Sequence, residues 1–238
     1  MSNTCSVMIA IHSNFADSEA GKLQLQELWM RLCGLMLKDR TKSGLKDAIS
    51  SDESKKIRSN WWGNLLCADG VDPEDVCDRG SINSITFNED HILIEGENAW
   101  GPQTDSLDGL MRRYPELAYE VFAEEPGCEV YINTDVDGNF FTTRYSIDYD
   151  LDEFGCEVEW FDSEQELVYY FDDILEEVYK KYPDFKSAVA PNCECLHLNP
   201  DKSTVASVES AAKELKNFLE TRLETDVWME VHEYDTSL

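Results

Sequence analysis

Hydrophobic and polar positions change their period several times along the chain, and the changes mark out its elements. A short apolar run at residues 5–11 reads as a strand. Leu25, Leu28, Trp29, Leu32, Leu35 and Met36 then recur at the three- and four-residue spacing of an amphipathic helix. The stretch TKSGLKDAISSDESKK is rich in Ser and charge and reads as a linker, which places a boundary near residue 58. Beyond it the grammar is that of strands: WWGNLLCADG first, then SITFNEDHILIEG, which splits into two strands around Asn88, Glu89 and Asp90. Gly101 and Pro102 make a turn, and the short helix that follows ends at Pro115. LAYEVFAEE and CEVYIN are strands on either side of Pro126 and Gly127, and a tight turn at Asp137 and Gly138 leads into NFFTTRYSIDYDLDE.

In that last segment Tyr145, Ile147, Tyr149 and Leu151 alternate with Ser146, Asp148, Asp150 and Asp152, so one face is core and the other a row of carboxylates. CEVEWF repeats the pattern, with Cys156, Val158 and Trp160 expected inside and Glu157 and Glu159 outside. Ser163 followed by Glu166 forms a capping box. The helix it opens has Leu167, Tyr170, Phe171, Ile174, Val178 and Tyr182 on one side, with Glu166, Asp172, Asp173, Glu176 and Glu177 on much of the other. A loop with Pro183, Pro191 and Pro200 leads to a last helix over about residues 203–224, whose Val208, Ala212, Leu215, Phe218 and Leu219 are expected to be buried, and DVWMEVHEY reads as a terminal strand. Mixed helices and strands joined by short turns give an α+β class with a largely antiparallel sheet. The expected division is an N-terminal helical segment (1–58), a central α+β domain (59–162) and an acidic helical extension with a terminal strand (163–238) packed on the centre.

Four short motifs carry a family resemblance. Trp62, Gly63 and Asn64 stand ahead of a strand; Glu97, Asn98, Ala99, Trp100, Gly101 and Pro102 precede a short helix; Tyr114 and Pro115 follow it; Glu124, Glu125, Pro126 and Gly127 precede a hairpin. Over about residues 61–150 the chain resembles the YubB-type ferredoxin-like domain of plasmids and phages. The resemblance implies a split βαβ, ferredoxin-like sheet in a mobile-element protein, and it brings no catalytic residues with it. The N-terminal helical segment and the acidic C-terminal extension depart from the family pattern, so specific function is expected there.

Charge narrows the partners. Of 49 Asp and Glu, 42 lie after Asn60 against only 11 Lys and Arg, a formal −31 for residues 61–238, while the first 60 residues are nearly balanced at +2. A chain of net charge −29 repels polyanions, so nucleic acid and anionic membrane are excluded as direct ligands and a basic protein is favoured. Six Trp, ten Tyr and ten Phe require a packed core and set the chain apart from disordered acidic tails. No stretch approaches about 20 apolar residues, and the first apolar run lacks a preceding Lys or Arg, so neither a membrane span nor a secretory signal is read. Eight Cys in a chain with a full core read as free thiols of a cytoplasmic protein.

Carboxylates at i and i+2 of a strand lie about 6.6 Å apart, and those at i, i+3 and i+4 of a helix about 5–6 Å apart. Both spacings allow rows that imitate the phosphates of a duplex. The candidate partner-binding residues are therefore Asp148, Asp150, Asp152, Glu157, Glu159, Glu166, Asp172, Asp173, Glu176 and Glu177. The expected function is non-catalytic: inhibition of a basic nucleic-acid-binding host protein, a defence nuclease given the mobile-element resemblance, by nucleic-acid mimicry. The plainer account of the same residues is a solvated acidic surface. Other chemistry is weaker. Asn133, Asp135, Asp137 and Gly138 follow an EF-hand loop, but its twelfth position is Arg144 where a bidentate Glu is required, so a hairpin turn is expected instead. Cys193, Cys195 and His197 form a C-x-C-x-H cluster that Cys67 and Cys77 would complete as a tetrahedral site, yet the single-residue spacing is atypical of zinc. His12, His91, His197 and His232 lie in no triad motif. Trp61, Trp62 and Trp100 lack the basic channel of a single-strand binder. No cofactor, metal or catalytic residue is nominated. A cytoplasmic enzyme of unknown reaction and a structural protein that homo-oligomerises through its N-terminal helix remain the alternatives.

Overall fold

The computed structural model describes residues 4–15, 18–35, 40–41, 56–57, 60–61, 80–99, 101–102, 104–185, 198 and 202–237. The chain divides into two compact units, Met1–Phe140 with Asp235–Leu238, and Phe141–Tyr234.

The first unit is built on β1 (Thr4–Ser13), α1 (Glu19–Leu35), β4 (Ser81–Asn88), β5 (His91–Ala99), α2 (Thr104–Arg113), β6 (Leu117–Glu125) and β7 (Val130–Asn133), with a two-residue ladder between β2 (Arg40–Thr41) and β3 (Lys56–Ile57). Its antiparallel sheet has the order β4-β5-β1-β6-β7. In the chain order β1-α1-β4-β5-α2-β6, β1 lies between β5 and β6 in the sheet, and β7 is added at one edge. Alternation fixes which face is covered. Val7, Ile9 and Ile11 of β1 lie in register with Ile94, Ile92, Val121 and Ala123 and, with Cys5, pack under Leu25, Leu28 and Leu32 of α1 and Leu107 and Leu110 of α2. Trp29 joins this core from α1 and stacks on Phe87 of β4 at 5.6 Å.

The second unit holds β8 (Tyr145–Asp150), β9 (Cys156–Phe161), α3 (Glu164–Lys181), α4 (Val205–Leu223) and β10 (Trp228–Glu233). The sheet order is β10-β8-β9, all antiparallel. Both helices pack on one face through Leu167, Val168, Phe171, Leu175 and Val178 of α3 and Val208, Ala212, Leu215 and Leu219 of α4, against Ile147, Tyr149 and Met229.

The chain is thus α+β with a largely antiparallel sheet, but it is divided differently from the expected 1–58, 59–162 and 163–238. The linker at residue 58 lies outside the described residues. β1 cannot belong to a separate N-terminal segment, since it is the central strand of the first sheet, hydrogen-bonded on both sides. The division falls at 140/141 instead, between two sheets with separate cores. The turn at Asp137 and Gly138 forms, with Gly138 at φ 69, but it closes no hairpin, because β7 and β8 belong to different sheets. Asn133 and Asp135, both buried, account for this: the Asn133 side chain accepts the Asp135 N–H and the Asp135 carboxylate accepts the Phe140 N–H, so the loop closes on itself. Of the WWGNLLCADG segment, Trp61 makes an isolated bridge to Ser81, and the rest lies outside the described residues.

Candidate functional site

The candidate carboxylates fall into separate groups. On α3, Glu166, Asp173, Glu176 and Glu177 are exposed and Asp172 is half-buried, all turned away from the buried Leu167, Phe171 and Leu175. The helix starts where the sequence places it: Ser163 Oγ accepts the Glu166 N–H at 3.3 Å. The capping box is offset by one residue, since Glu166 accepts from the Asp162 N–H at 3.1 Å and not from that of Ser163. Glu164 accepts the Val205 N–H at 2.6 Å and so ties the start of α3 to the start of α4. At the other end the charge is compensated. Lys180 lies 3.7 Å from Glu176, and Glu153 pairs with Lys181 and Tyr182, whose hydrogen bonds hold its carboxyl below the usual carboxylate range.

The strand carboxylates occupy both faces of the second sheet. The register aligns Trp228, Asp150 and Cys156, then Glu230, Asp148 and Val158, then His232, Ser146 and Trp160, on the face away from the helices. Glu157 and Glu159 are opposite Tyr149 and Ile147, on the helix side. This overturns the expected alternation of β9: Cys156 is exposed, and Val158 and Trp160 are 41% and 50% exposed. CEVEWF ends in two adjacent aromatics of opposite parity, Trp160 and Phe161, so its composition does not decide which turns inward. Pairing decides it. Phe161 is opposite Tyr145, is buried and packs on Tyr170 at 5.2 Å, and the loop that sets this register contains Asp152 at φ 55 and Gly155 at φ 104.

Glu157 at the rim accepts hydrogen bonds from Tyr149 and Tyr170, whose hydroxyls lie 3.1 Å apart. Burial, reinforced for Tyr170 by the Tyr149 hydrogen bond, raises the pKa of both phenols above the ordinary tyrosine value, so they remain donors. Asp148, directly opposite Glu230, is held above the usual carboxylate range by burial and then by the Glu230 charge. Asp150 accepts the Asp152 N–H at 3.2 Å and serves the turn; Asp152 accepts from Thr225 at 3.5 Å. Asp148 and Asp150 therefore do not continue the α3 row, because the sheet and its helical layer lie between them.

Two clusters in the first unit arise only on folding. On the open face His12 and His91 are directly opposite each other on β1 and β5, and Phe140 packs on both rings at 4.9 and 5.0 Å. His12 Nδ1 donates to the Ser13 carbonyl at 3.0 Å, leaving a buried Nε2 that has no hydrogen bond among the described residues and lies 3.9 Å from Glu120 Oε1. His91 pairs with Asp90 at 2.7 Å, which holds the Asp90 carboxyl below its usual range. On the helix side Cys5 is opposite Asn98, with Glu125 nearby. Asn98 and Glu125 are 2% and 4% exposed, and among the described residues neither Asn98 polar atom, nor Glu125 Oε2, has a hydrogen-bond partner. Burial, followed by the Glu125 charge, pushes the Cys5 thiol up to about 12. Asn98 and Glu125 come from two of the sequence motifs, but nothing in their spacing reveals that both flank Cys5.

Cys67, Cys77, Cys193, Cys195, His197, Trp62 and Trp100 lie outside the described residues. Among the described residues no three His, Cys, Asp or Glu side chains converge as a metal-binding group, and no helix is long and apolar enough to cross a membrane. No family model, curated protein or solved structure matches the chain.

Proposed function

We propose that the chain is a non-catalytic acidic protein that binds a basic nucleic-acid-binding protein in the cytoplasm and competes there with nucleic acid. Following its resemblance to the YubB-type ferredoxin-like domains, the proposed setting is a plasmid or phage and the proposed target a host defence nuclease.

The outward side of α3 carries the reading. From Glu166 to Glu177 the helix rises about 16 Å and presents Glu166, Asp172, Asp173, Glu176 and Glu177, with no Lys or Arg in that span. That is about one carboxylate per 3–4 Å, close to the 3.4 Å per phosphate of one duplex strand. Glu157 and Glu159 extend the negative surface at the sheet rim, whereas Asp148 and Asp150 on the opposite sheet face are left out of it. A solubilising surface needs no such concentration, and the compensating Lys180 and Lys181 stand only at the end of the helix.

The test is the rate of association with a basic target as salt is raised. Replacing Asp172, Asp173, Glu176 and Glu177 by Asn or Gln leaves Leu167, Phe171 and Leu175 in place, so the fold is retained while steering is lost. Equal association rates and equal salt dependence for variant and parent would reject the α3 face as the recognition element.

A further inference from the structure

The outer edge of β9 carries an arrangement that the α3 charge does not explain. Among the described residues β9 is the terminal strand of its sheet, six residues long, in unbroken register with β8 and without Pro or Gly. Edge strands of this kind template the addition of another strand unless charge or a bulge protects them. Its two faces are chemically distinct. Val158 and Trp160 are exposed on the side away from the helices, where Asp148 and Asp150 of β8 separate them from Trp228 of β10; Glu157 and Glu159 face the helix side.

We propose that β9 is a docking edge for an extended basic segment of a partner protein, which adds as a further antiparallel or parallel strand with apolar residues beside Val158 and Trp160 and Lys or Arg beside Glu157 and Glu159. Charge complementarity selects this occupant. Glu157 and Glu159, on the face where the Lys or Arg of the added strand lie, attract a basic strand. A second copy pairing through the same edge sets Glu157 and Glu159 against their own counterparts, and stacking through the same face does so for Asp148 and Glu230. Period-two alternation of apolar and basic residues is the sequence requirement for the partner. The inference rests on the reading of the chain as a binder of basic proteins, and it adds main-chain pairing along β9, next to the α3 charge, which the α3 row alone does not supply.

The probe is a fluorescent peptide of alternating Lys and Val, titrated into the full chain. Beside it are run the same peptide N-methylated at alternate residues, which keeps charge and apolar surface but removes main-chain donors, and a peptide of equal charge with Gly for Val. The expected result is saturable binding of the first peptide, weakened about tenfold or more by N-methylation and by either Val158→Lys or Trp160→Ser. Two exposed substitutions are used so that misfolding of one does not decide the outcome. The variant Asp172→Asn, Asp173→Asn, Glu176→Gln, Glu177→Gln is expected to keep the sensitivity to N-methylation. No binding, or binding indifferent to N-methylation and to both β9 substitutions, overturns the β9 proposal; if that indifferent binding is lost with the α3 charges, the α3 reading still stands. A dimer in light scattering that Val158→Lys dissociates also overturns it, by assigning the edge to a second copy.

Discussion

Asp148→Asn should stabilise the protein, and the gain should depend on pH. Asp148 is half-buried, lies directly opposite Glu230 and has no cation across either strand pairing, where its neighbours are Glu230 and Val158. Directly opposed side chains have Cβ atoms about 5 Å apart. At that distance two unit charges repel by about 0.8 kcal/mol in water and about 3 kcal/mol at an effective dielectric of 20. Solvent screening of a half-exposed pair favours the lower end. Like charges opposed on a sheet cost about 0.2–1 kcal/mol, and burial of the carboxylate acts in the same direction. The variant should therefore gain about 0.5–1 kcal/mol at pH 7, or about 3–6 °C in the unfolding of the second unit. The sign of the pH dependence follows from the raised pKa. The folded state holds the Asp148 proton more tightly than the unfolded chain, so the parent loses stability as pH rises from the usual carboxylate value through the raised one. Below both values the parent carboxyl is neutral and the two proteins should match. Urea unfolding of the full chain at pH 3 and pH 7, at low and high salt, is the assay. A variant no more stable than the parent at pH 7, or a gap that persists undiminished at pH 3, would refute the argument.

Gly80→Ala should destabilise the first unit by about 1–3 kcal/mol, because a Cβ there would lie 1.7 Å from Asn98 Oδ1 and 2.8 Å from the Glu97 carbonyl; thermal unfolding measures this, and an unchanged midpoint would show that Asn98 yields freely. With iodoacetamide at pH 8 the exposed Cys128 and Cys156 should alkylate while the buried Cys5, its thiol pushed up to about 12, stays unmodified until the chain unfolds; peptide mass spectrometry reads the order, and early labelling of Cys5 would contradict its burial.

Much of the fold is legible where local signals agree. Leu25, Leu28, Trp29 and Leu32 mark the inner side of α1, the Asn88 to Asp90 turn separates β4 from β5, and Ser163 starts α3. Non-local pairing is what the sequence conceals. A strand at the start of the chain can pair anywhere, and the placement of β1 between β5 and β6 depends on partners about 80 to 120 residues away. The faces of β9 depend on its register with β8, since Trp160 and Phe161 are equally suited to burial. The candidate site divides for the same reason. The α3 row follows from helical periodicity and is found together, whereas Glu157 and Glu159 change face relative to Asp148 and Asp150 with the parity of one loop. The His12 and His91 pair and the cluster of Asn98 and Glu125 around Cys5 are tertiary and leave no local trace.

On the proposed function, the α3 carboxylates, and not net charge alone, engage a surface made for nucleic acid. The direct measurement is displacement of a DNA duplex of about 15 base pairs from a Lys- and Arg-rich peptide, compared among three proteins. These are the parent, the variant Asp172→Asn, Asp173→Asn, Glu176→Gln, Glu177→Gln, and a control of equal charge change on the first unit, Glu27→Gln, Glu89→Gln, Glu97→Gln, Asp105→Asn, all at exposed positions. The account predicts that parent and control displace the duplex with similar efficiency, that the α3 variant loses most of its ability to do so, and that displacement by the parent weakens steeply as salt rises. Equal displacement by the α3 variant and the control, or none by the parent, would contradict it.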